Sequence, residues 1–344
     1  IESGTKIQDY FGKNITNLVK HICRRGKNVN RKTWRSRIVH DIITALLTSL
    51  SSERSCPQQD GLQNIQEVLP MQNKILWDCH MHSSFSADSS SSMEDMIQKA
   101  AALGLSGICF TEHLDPDYPP VPEPEPLDFS LDIPAYQETL FSLRNKYQER
   151  LEICFGIELG LQPHLEEDFR KLLSSVPFDF VIGSSHIVHG FDPYYPDFFR
   201  GRRESACYME YFESVLENLA CFSEMDVYGH IDYVVRYGPN QNREYSYGRY
   251  QDILDEILRT LVSRHVGIEL NTGGFHYGLG EPNPCAAVIR RYRELGGEII
   301  TVGADAHKPE NIAHSFEKAA EILRECGFRY YTVFKDRQPE FLPL

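Results

Sequence analysis

Ile75-Leu76-Trp77-Asp78-Cys79-His80-Met81-His82 is the stretch on which the reading of the fold turns. An apolar run leads into two histidines spaced i, i+2, and a carboxylate follows at Asp88. Alternate residues of a strand project to one side. A strand here therefore holds two neutral imidazoles together at its end, which is half of a metal site. Taken alone, the pair fits two incidental histidines in a loop just as well. What the chain repeats further on separates the two.

Downstream, short β-prone runs alternate with helical segments. Strands are expected at 74–79, 107–111, 152–157, 179–184, 226–229, 266–270 and 298–303, with a last one at 329–334. Helices are expected at about 134–150, 164–174, 205–222, 248–264, 284–295 and 309–326. An earlier one follows Ser89–Ser92 and runs to Gly104, with Ser91 and Glu94 at capping-box spacing. Strand-then-helix alternation predicts parallel strands joined by crossover helices. Seven such units in roughly 270 residues suit a barrel better than an open doubly wound sheet.

The polar residues gather at the ends of these strands. His80 and His82 end the first, Thr111-Glu112-His113 the second, Glu158 the third and Ser185-His186 the fourth. Gly229-His230-Ile231-Asp232 ends the fifth, Asn271 the sixth and Asp305-Ala306-His307 the seventh. Parallel barrel strands put their C-terminal ends on one face, where such folds carry their sites. Six of the thirteen histidines fall at five of the seven ends, and scattered structural histidines would not collect this way. Imidazoles and carboxylates without thiolates suit Zn²⁺, Mn²⁺, Fe²⁺ or Co²⁺. The nine candidates are His80, His82, Asp88, His113, Glu158, His186, His230, Asp305 and His307. They exceed the needs of one ion and suffice for two or three if a carboxylate bridges. Each has a plainer reading alone: His113 or His230 as a core histidine, Glu112 as a helix N-cap neighbour, Asp232 as a group fixing an imidazole tautomer. The joint pattern is what points to a multinuclear site.

Composition narrows the setting. The net charge is -14 over 344 residues, but residues 1–40 carry ten Lys+Arg against two Asp+Glu, so +8, and the remainder carries -22. An acidic body argues against a nucleic-acid surface, although bound cations would still admit a phosphate substrate. The nine cysteines are scattered singly, which predicts a reducing, cytoplasmic setting. No apolar run reaches the ~18 residues of a membrane span. Residues 1–70 are expected to be a basic, partly helical or disordered extension ending in a Ser/Gln/Asn-rich linker, and 71–344 the barrel.

As a set, His80-Met81-His82 with Asp88, Thr111-Glu112-His113, Gly156-Ile157-Glu158, Ser185-His186, Gly229-His230-Ile231-Asp232 and Asp305-Ala306-His307 resemble the successive motifs of the PHP (polymerase and histidinol phosphatase) family. Within it the chain resembles the histidinol-phosphatases, most closely at Glu269-Leu270-Asn271-Thr272-Gly273 and from Gly303 through Lys308-Pro309-Glu310 and Gly327-Phe328 to Phe334-Lys335. The likeness covers about 72–344 and leaves 1–70 unmatched.

The resemblance implies a distorted (β/α)₇ barrel holding three divalent ions. One would take His80, His82, Glu158 and Asp305; a second would share Glu158 with His186 and His230; a third would take Asp88, His113 and His307. It also implies basic residues that grip the substrate phosphate. Arg236, six residues after His230, is the first candidate, and Arg202 or Arg203 the second; ordinary surface arginine is the plain alternative. Asp88, His113 and His307 join these arginines as the expected catalytic residues. The implied reaction is hydrolysis of L-histidinol phosphate to L-histidinol and phosphate, in histidine biosynthesis. His189 and His276, in predicted loops, are open candidates for the general acid. The main competitor is another phosphoesterase of the family, acting on a nucleotide, a cyclic phosphate or phosphotyrosine. A metal-dependent amidohydrolase and a non-enzymatic metal-binding module stand further off.

Overall fold

The computed structural model describes residues 74–120 and 127–344; the expectations for residues 1–70 lie outside them. Seven strands, β1 (Trp77–Met81), β2 (Gly107–Leu114), β3 (Glu152–Gly160), β4 (Phe180–Ser184), β5 (Val227–Tyr228), β6 (Gly267–Asn271) and β7 (Ile300–Gly303), form one sheet in sequence order. Every neighbouring pair is parallel. The strands β1, β4, β6 and β7 are buried at every position, as continuous apolar runs covered on both faces should be.

The sheet curls until its edges meet. The loop after β7 closes the ring: Asp305 N–H donates to the His80 carbonyl and His82 N–H to the Ala306 carbonyl, each at 2.9 Å. Met81 and Ala306 thereby form a parallel bridge. The result is a nearly closed, distorted (β/α)₇ barrel, as the alternation predicted.

The crossovers are α1 (Met93–Ala102), α2 (Ile133–Tyr147), α3 (Glu166–Ser175), α4 (Glu204–Cys221), α5 (Gln251–Ser263) and, after a single turn α6 (Gly273–His276), α7 (Ala286–Glu294). A last helix, α8 (Phe316–Glu325), follows β7. Two local expectations need correction. The cap of α1 is Ser92, whose hydroxyl accepts the Asp95 N–H at 3.1 Å; Ser91 instead donates to the His307 carbonyl at 3.0 Å. The helix expected over 309–326 is broken, because Ala313 and Ser315 take positive φ (54° and 60°), leaving a 3₁₀ turn before α8.

The last expected strand is not a barrel stave. It is β8 (Tyr330–Lys335), paired antiparallel with β9 (Gln338–Pro343). The two-residue turn between them has positive φ at both Asp336 (48°) and Arg337 (62°), the backbone hand that matches strand twist. This hairpin crosses the N-terminal ends of the barrel strands. Tyr331 Oη accepts the Leu76 N–H at 3.2 Å, Thr332 Oγ1 accepts the Ile300 N–H at 3.2 Å, and Phe334 stacks on Phe180 with centroids 5.2 Å apart. With that end covered, the C-terminal ends are left to build a site.

Candidate metal centre

Glu158 sits at the middle of the C-terminal face, fully buried on β3 and in register with His113 on β2. Both lie inside strands that run further than the apolar runs alone suggested. Glu158 Oε2 is 3.1 Å from His80 Nε2, 3.5 Å from His82 Nε2 and 3.1 Å from His113 Nδ1. Its Oε1 is 2.9 Å from His230 Nε2 and 3.3 Å from His186 Nε2. Asp305 Oδ1 approaches His80 and His82 at 3.6 and 3.4 Å. Asp88 Oδ2 lies 3.0 Å from His307 and 3.6 Å from His113. All nine candidates from the sequence therefore meet at one face.

Four triplets each present donor atoms within 4.8 Å of one another: His80, His82 and Asp305; His80, Glu158 and His230; His113, Glu158 and His186; and His82, His113 and His307. His80 Nε2 and His82 Nε2 face each other at 3.1 Å, a separation that leaves room for a shared proton or a cation. Buried His230 Nδ1 has no hydrogen-bond partner, and His113 Nδ1 and His307 Nε2 meet only carboxylate oxygens, at 3.1 and 3.0 Å, outside hydrogen-bond geometry. Orphaned buried ring nitrogens are costly, and nitrogen donors beside carboxylates are what borderline divalent cations take. The donor set fits divalent metal ions.

A second ring of groups aims these donors. Glu269 Oε1 holds His80 Nδ1 at 2.7 Å, and its Oε2 accepts the His230 backbone N–H at 3.0 Å. Asp115 Oδ1 holds His186 Nδ1 at 2.8 Å, and Ser184 Oγ donates to Glu158 Oε1 at 2.6 Å. Such partners set the tautomer and the ring orientation. Glu112 is no helix cap: it accepts from the Ser83 N–H and hydroxyl and from the Ser86 hydroxyl, tying down the loop after β1. Asp232 bonds Asn283 Nδ2 and the Cys285 N–H rather than an imidazole. In the sequence Glu269 stands out only as part of the resemblance and Asp115 not at all, so neither carries this positioning role there. Asp115 stands two residues beyond His113, the strand spacing that could have flagged it.

Two backbone features let the donors converge. Asp305 has φ 55°, a left-handed conformation that Asp tolerates better than most residues, two residues beyond the end of β7. Gly303 lies so close to β1 that a Cβ there would sit 2.3 Å from His80 Cβ and 2.6 Å from Glu269 Oε1.

The electrostatics follow from mutual neutralisation. Burial pushes the Glu158 carboxyl up, but His80, His113 and His186 around it outweigh that and hold it well below the usual range. Asp305 behaves likewise between His80, His82 and Arg236. Burial depresses His82, and the neighbouring His113 and His307 push it lower still. Burial works against protonation of His307 too, but Asp88 and Asp305 lift it to about 9.

The cluster floors a cavity of about 520 Å³ lined by Asp88, His113, His186, His230, Asp305 and His307 together with aromatic side chains. Arg236 lines it as well, buried, with Nη1 on Asp305 Oδ2 (2.9 Å), Nη2 on Asn271 Oδ1 (2.8 Å) and Nε on Asn283 Oδ1 (2.8 Å). Arg202 does not line it; it is exposed, pairs with Glu210 and lies over the Phe198 ring. Of the two candidate acids, His276 lines the cavity, whereas His189 lies between Glu210 and Glu217 on an exposed face.

A model of the PHP domain matches residues 78–273 of this chain. The chain belongs to the PHP domain family. This PHP-domain chain is 33% identical over 258 residues to the histidinol-phosphatase of Lactococcus lactis subsp. lactis (strain IL1403), covering 75% of this chain and 93% of that protein. It is 31% identical over 258 residues to a probable histidinol-phosphatase of Clostridium acetobutylicum, covering 74% and 95%. The crystal structure of the Lactococcus lactis histidinol phosphate phosphatase, complexed with Zn, L-histidinol and phosphate, aligns with TM-score 0.71 at 31% identity, over 77% of this chain and 99% of that one. Zn in that neighbour and the donor triplets here mark a divalent-metal protein.

Proposed function

We propose that this chain is a metal-dependent phosphomonoester hydrolase that converts L-histidinol phosphate and water to L-histidinol and phosphate, in histidine biosynthesis. One observation carries the reading: nine imidazole and carboxylate donors converge on the floor of one cavity, in a chain 33% identical to a histidinol-phosphatase.

We assign the donors to three divalent ions of the Zn, Mn, Fe or Co class. His80, His82, Glu158 and Asp305 would hold one, Glu158 with His186 and His230 a second, and Asp88, His113 and His307 the third. Such ions, when bound, neutralise the charge of a phosphate dianion and lower the pKa of water towards neutrality. The chain's own groups do the rest. Glu269 and Asp115 keep the imidazoles aimed, and Asp305 is held between His80 and Arg236. Three of the five guanidinium N–H groups of Arg236 are committed to neighbours, which leaves two for an equatorial phosphate oxygen. His276, on the cavity wall, is the candidate to protonate the leaving alkoxide.

The barrel would span 71–344 and the basic segment 1–70 would be an extension, a division supported by the +8 charge of residues 1–40 ahead of an acidic remainder. Free, scattered thiols support a cytoplasmic setting, and among the described residues no helix is long and apolar enough to cross a membrane. The test is phosphate release by metal-loaded protein from L-histidinol phosphate, a nucleotide, a cyclic phosphate, phosphotyrosine and a simple aryl phosphate. A preference for L-histidinol phosphate that vanishes on chelation and returns with Zn²⁺, Mn²⁺ or Co²⁺ is expected. Activity surviving exhaustive chelation would overturn it.

A further inference from the structure

The carboxylates around the cavity are mostly spoken for. Asp88 faces His307 at 3.0 Å, Asp115 faces His186 at 2.8 Å and Asp305 faces Arg236 at 2.9 Å. Glu310 is exposed at the rim. Asp192 is different. It lines the same cavity at 6% exposure, and among the described residues its hydrogen-bond partners are all neutral. The Tyr118 hydroxyl donates to Oδ2, the Tyr194 N–H to Oδ1 at 2.7 Å, and the Tyr233 hydroxyl stands 3.4 Å from Oδ1.

Its position is built rather than incidental. The chain leaves β4 through His186 and turns back at His189 and Gly190 (φ 48° and 86°), while Val188 and Phe191 exchange backbone hydrogen bonds of 2.7 and 3.0 Å. This two-residue turn fixes the next residue, Asp192, on the cavity side. Aromatic rings that also line the cavity enclose it: Tyr118, Tyr194, Tyr195 and Tyr233, with Phe129 packed on Tyr118 at 4.6 Å.

Burial raises the Asp192 carboxyl, and the bonds from Tyr118 and the Tyr194 amide only partly oppose this. A desolvated carboxylate whose hydrogen-bond partners are all neutral, with only the His186 imidazole acting on it from further off, is a cost to the fold that a ligand cation can offset. Aromatic faces add attraction for an organic cation, because the ring quadrupole is negative above its plane.

We propose that Asp192, braced by Tyr118, is the specificity-determining residue of the cavity: it binds the positively charged nitrogen of an amino-alcohol phosphate whose phosphate end lies against the metal donors and Arg236. This rests on the phosphomonoesterase reading above. A phosphate monoester with a cationic tail engages both groups, whereas one with an uncharged tail engages only the phosphate end.

The experiment measures kcat/KM of metal-loaded wild type, Asp192→Asn and Tyr118→Phe on L-histidinol phosphate, phosphoethanolamine and 4-nitrophenyl phosphate. In Asp192→Asn the preference for the esters with a cationic tail over 4-nitrophenyl phosphate should fall about 100-fold, the scale of losing one partner of a buried charge pair. In Tyr118→Phe it should fall about threefold to tenfold, the scale of one hydrogen bond to a charged group. An equal loss on all three esters, or an unchanged preference, overturns the assignment. If Asp192→Asn does not fold or loses its metal, the Tyr118→Phe ratio decides. The two proposals separate cleanly. Wild type that ignores L-histidinol phosphate yet prefers phosphoethanolamine through Asp192 would refute the substrate, not the anchor.

Discussion

Glu269 Oε1 lies 2.7 Å from His80 Nδ1, with both side chains fully buried. The bond fixes which nitrogen of His80 is free to face Glu158 and Asp305. Glu269 Oε2 also holds the His230 backbone, so one carboxylate on β6 disciplines donors from two other strands. Glu269→Gln keeps the shape but can present an N–H where His80 needs an acceptor. Metal affinity or activity should drop about 10- to 100-fold, the usual scale for such partners. Metal analysis after competition with a graded chelator reads the affinity, and wild-type retention would remove Glu269 from this role.

His80 and Asp305 stand 3.6 Å apart, with the Asp305 backbone N–H on the His80 carbonyl. Both groups reach the cluster from the seam where the barrel closes. His80→Ala and Asp305→Ala should lose metal and activity together while far-UV circular dichroism still shows a folded barrel. Retention of three ions by His80→Ala would contradict its assignment as a ligand.

Gly303 tests the backbone rather than the side chains. A methyl group there would meet His80 Cβ at 2.3 Å and the His80 backbone nitrogen at 3.1 Å, and neither can swing away. Gly303→Ala should destabilise the fold by about 1–3 kcal/mol, as overpacking does, and reduce bound metal in whatever remains folded. Full metal occupancy with an unshifted denaturation midpoint would show that β1 and β7 have more slack than their separation implies.

Arg236 and Arg202, both named from the sequence, should behave oppositely. Arg236→Ala removes the buried cation beside Asp305 and takes one donor each from the side-chain oxygens of Asn271 and Asn283. A fall in kcat/KM of about 10²- to 10³-fold is expected, comparable to losing one transition-state donor. Arg202→Ala cuts a surface pair with Glu210 outside the cavity, so kcat/KM should stay within about threefold of wild type. Comparable losses in both variants would mean that the Arg202 loop reaches the substrate.

Stability should depend on pH through the far end of the barrel. Burial pushes the Asp226 carboxyl up to about 6, with Arg337 drawing it the other way. A carboxyl that titrates higher in the fold than its ordinary 3.8 favours the fold at low pH and withdraws that support as pH rises through about 6. Removing the guanidinium lifts the carboxyl further. Arg337→Gln should therefore cost more at pH 8, where Asp226 is ionised, than at pH 5, with a difference of about 2 kcal/mol, the scale of a charge-assisted bond. Urea midpoints of metal-free wild type and variant at both pH values provide the check. A cost that is equal at pH 5 and pH 8 would show that the pair carries no charge-dependent stability.

Much of this was legible before any coordinates. Alternation of β-prone and helical runs specifies a parallel, barrel-like sheet, because a short apolar stretch must be buried on both faces and parallel strands need crossovers. The ligand types were legible too, since imidazoles and carboxylates recurred at the strand ends. What the one-dimensional pattern could not carry is everything that depends on separation in space. Glu269 and His80 are 189 residues apart, and only closure of the ring brings them within a hydrogen bond. Arg236 and Arg202 were both candidates for the phosphate in sequence, ranked only by the first one's place after His230, yet Arg202 turns to Glu210 at the surface and Arg236 is buried against Asp305. Asp192 carries no motif at all; its interest arises because folding buries a carboxylate whose hydrogen-bond partners are tyrosines and a backbone amide, none of them charged. Residue type and order determine which chemistry is available. Tertiary packing decides which groups lose water and face one another, because desolvation and distance, not sequence proximity, set the strength of their interactions.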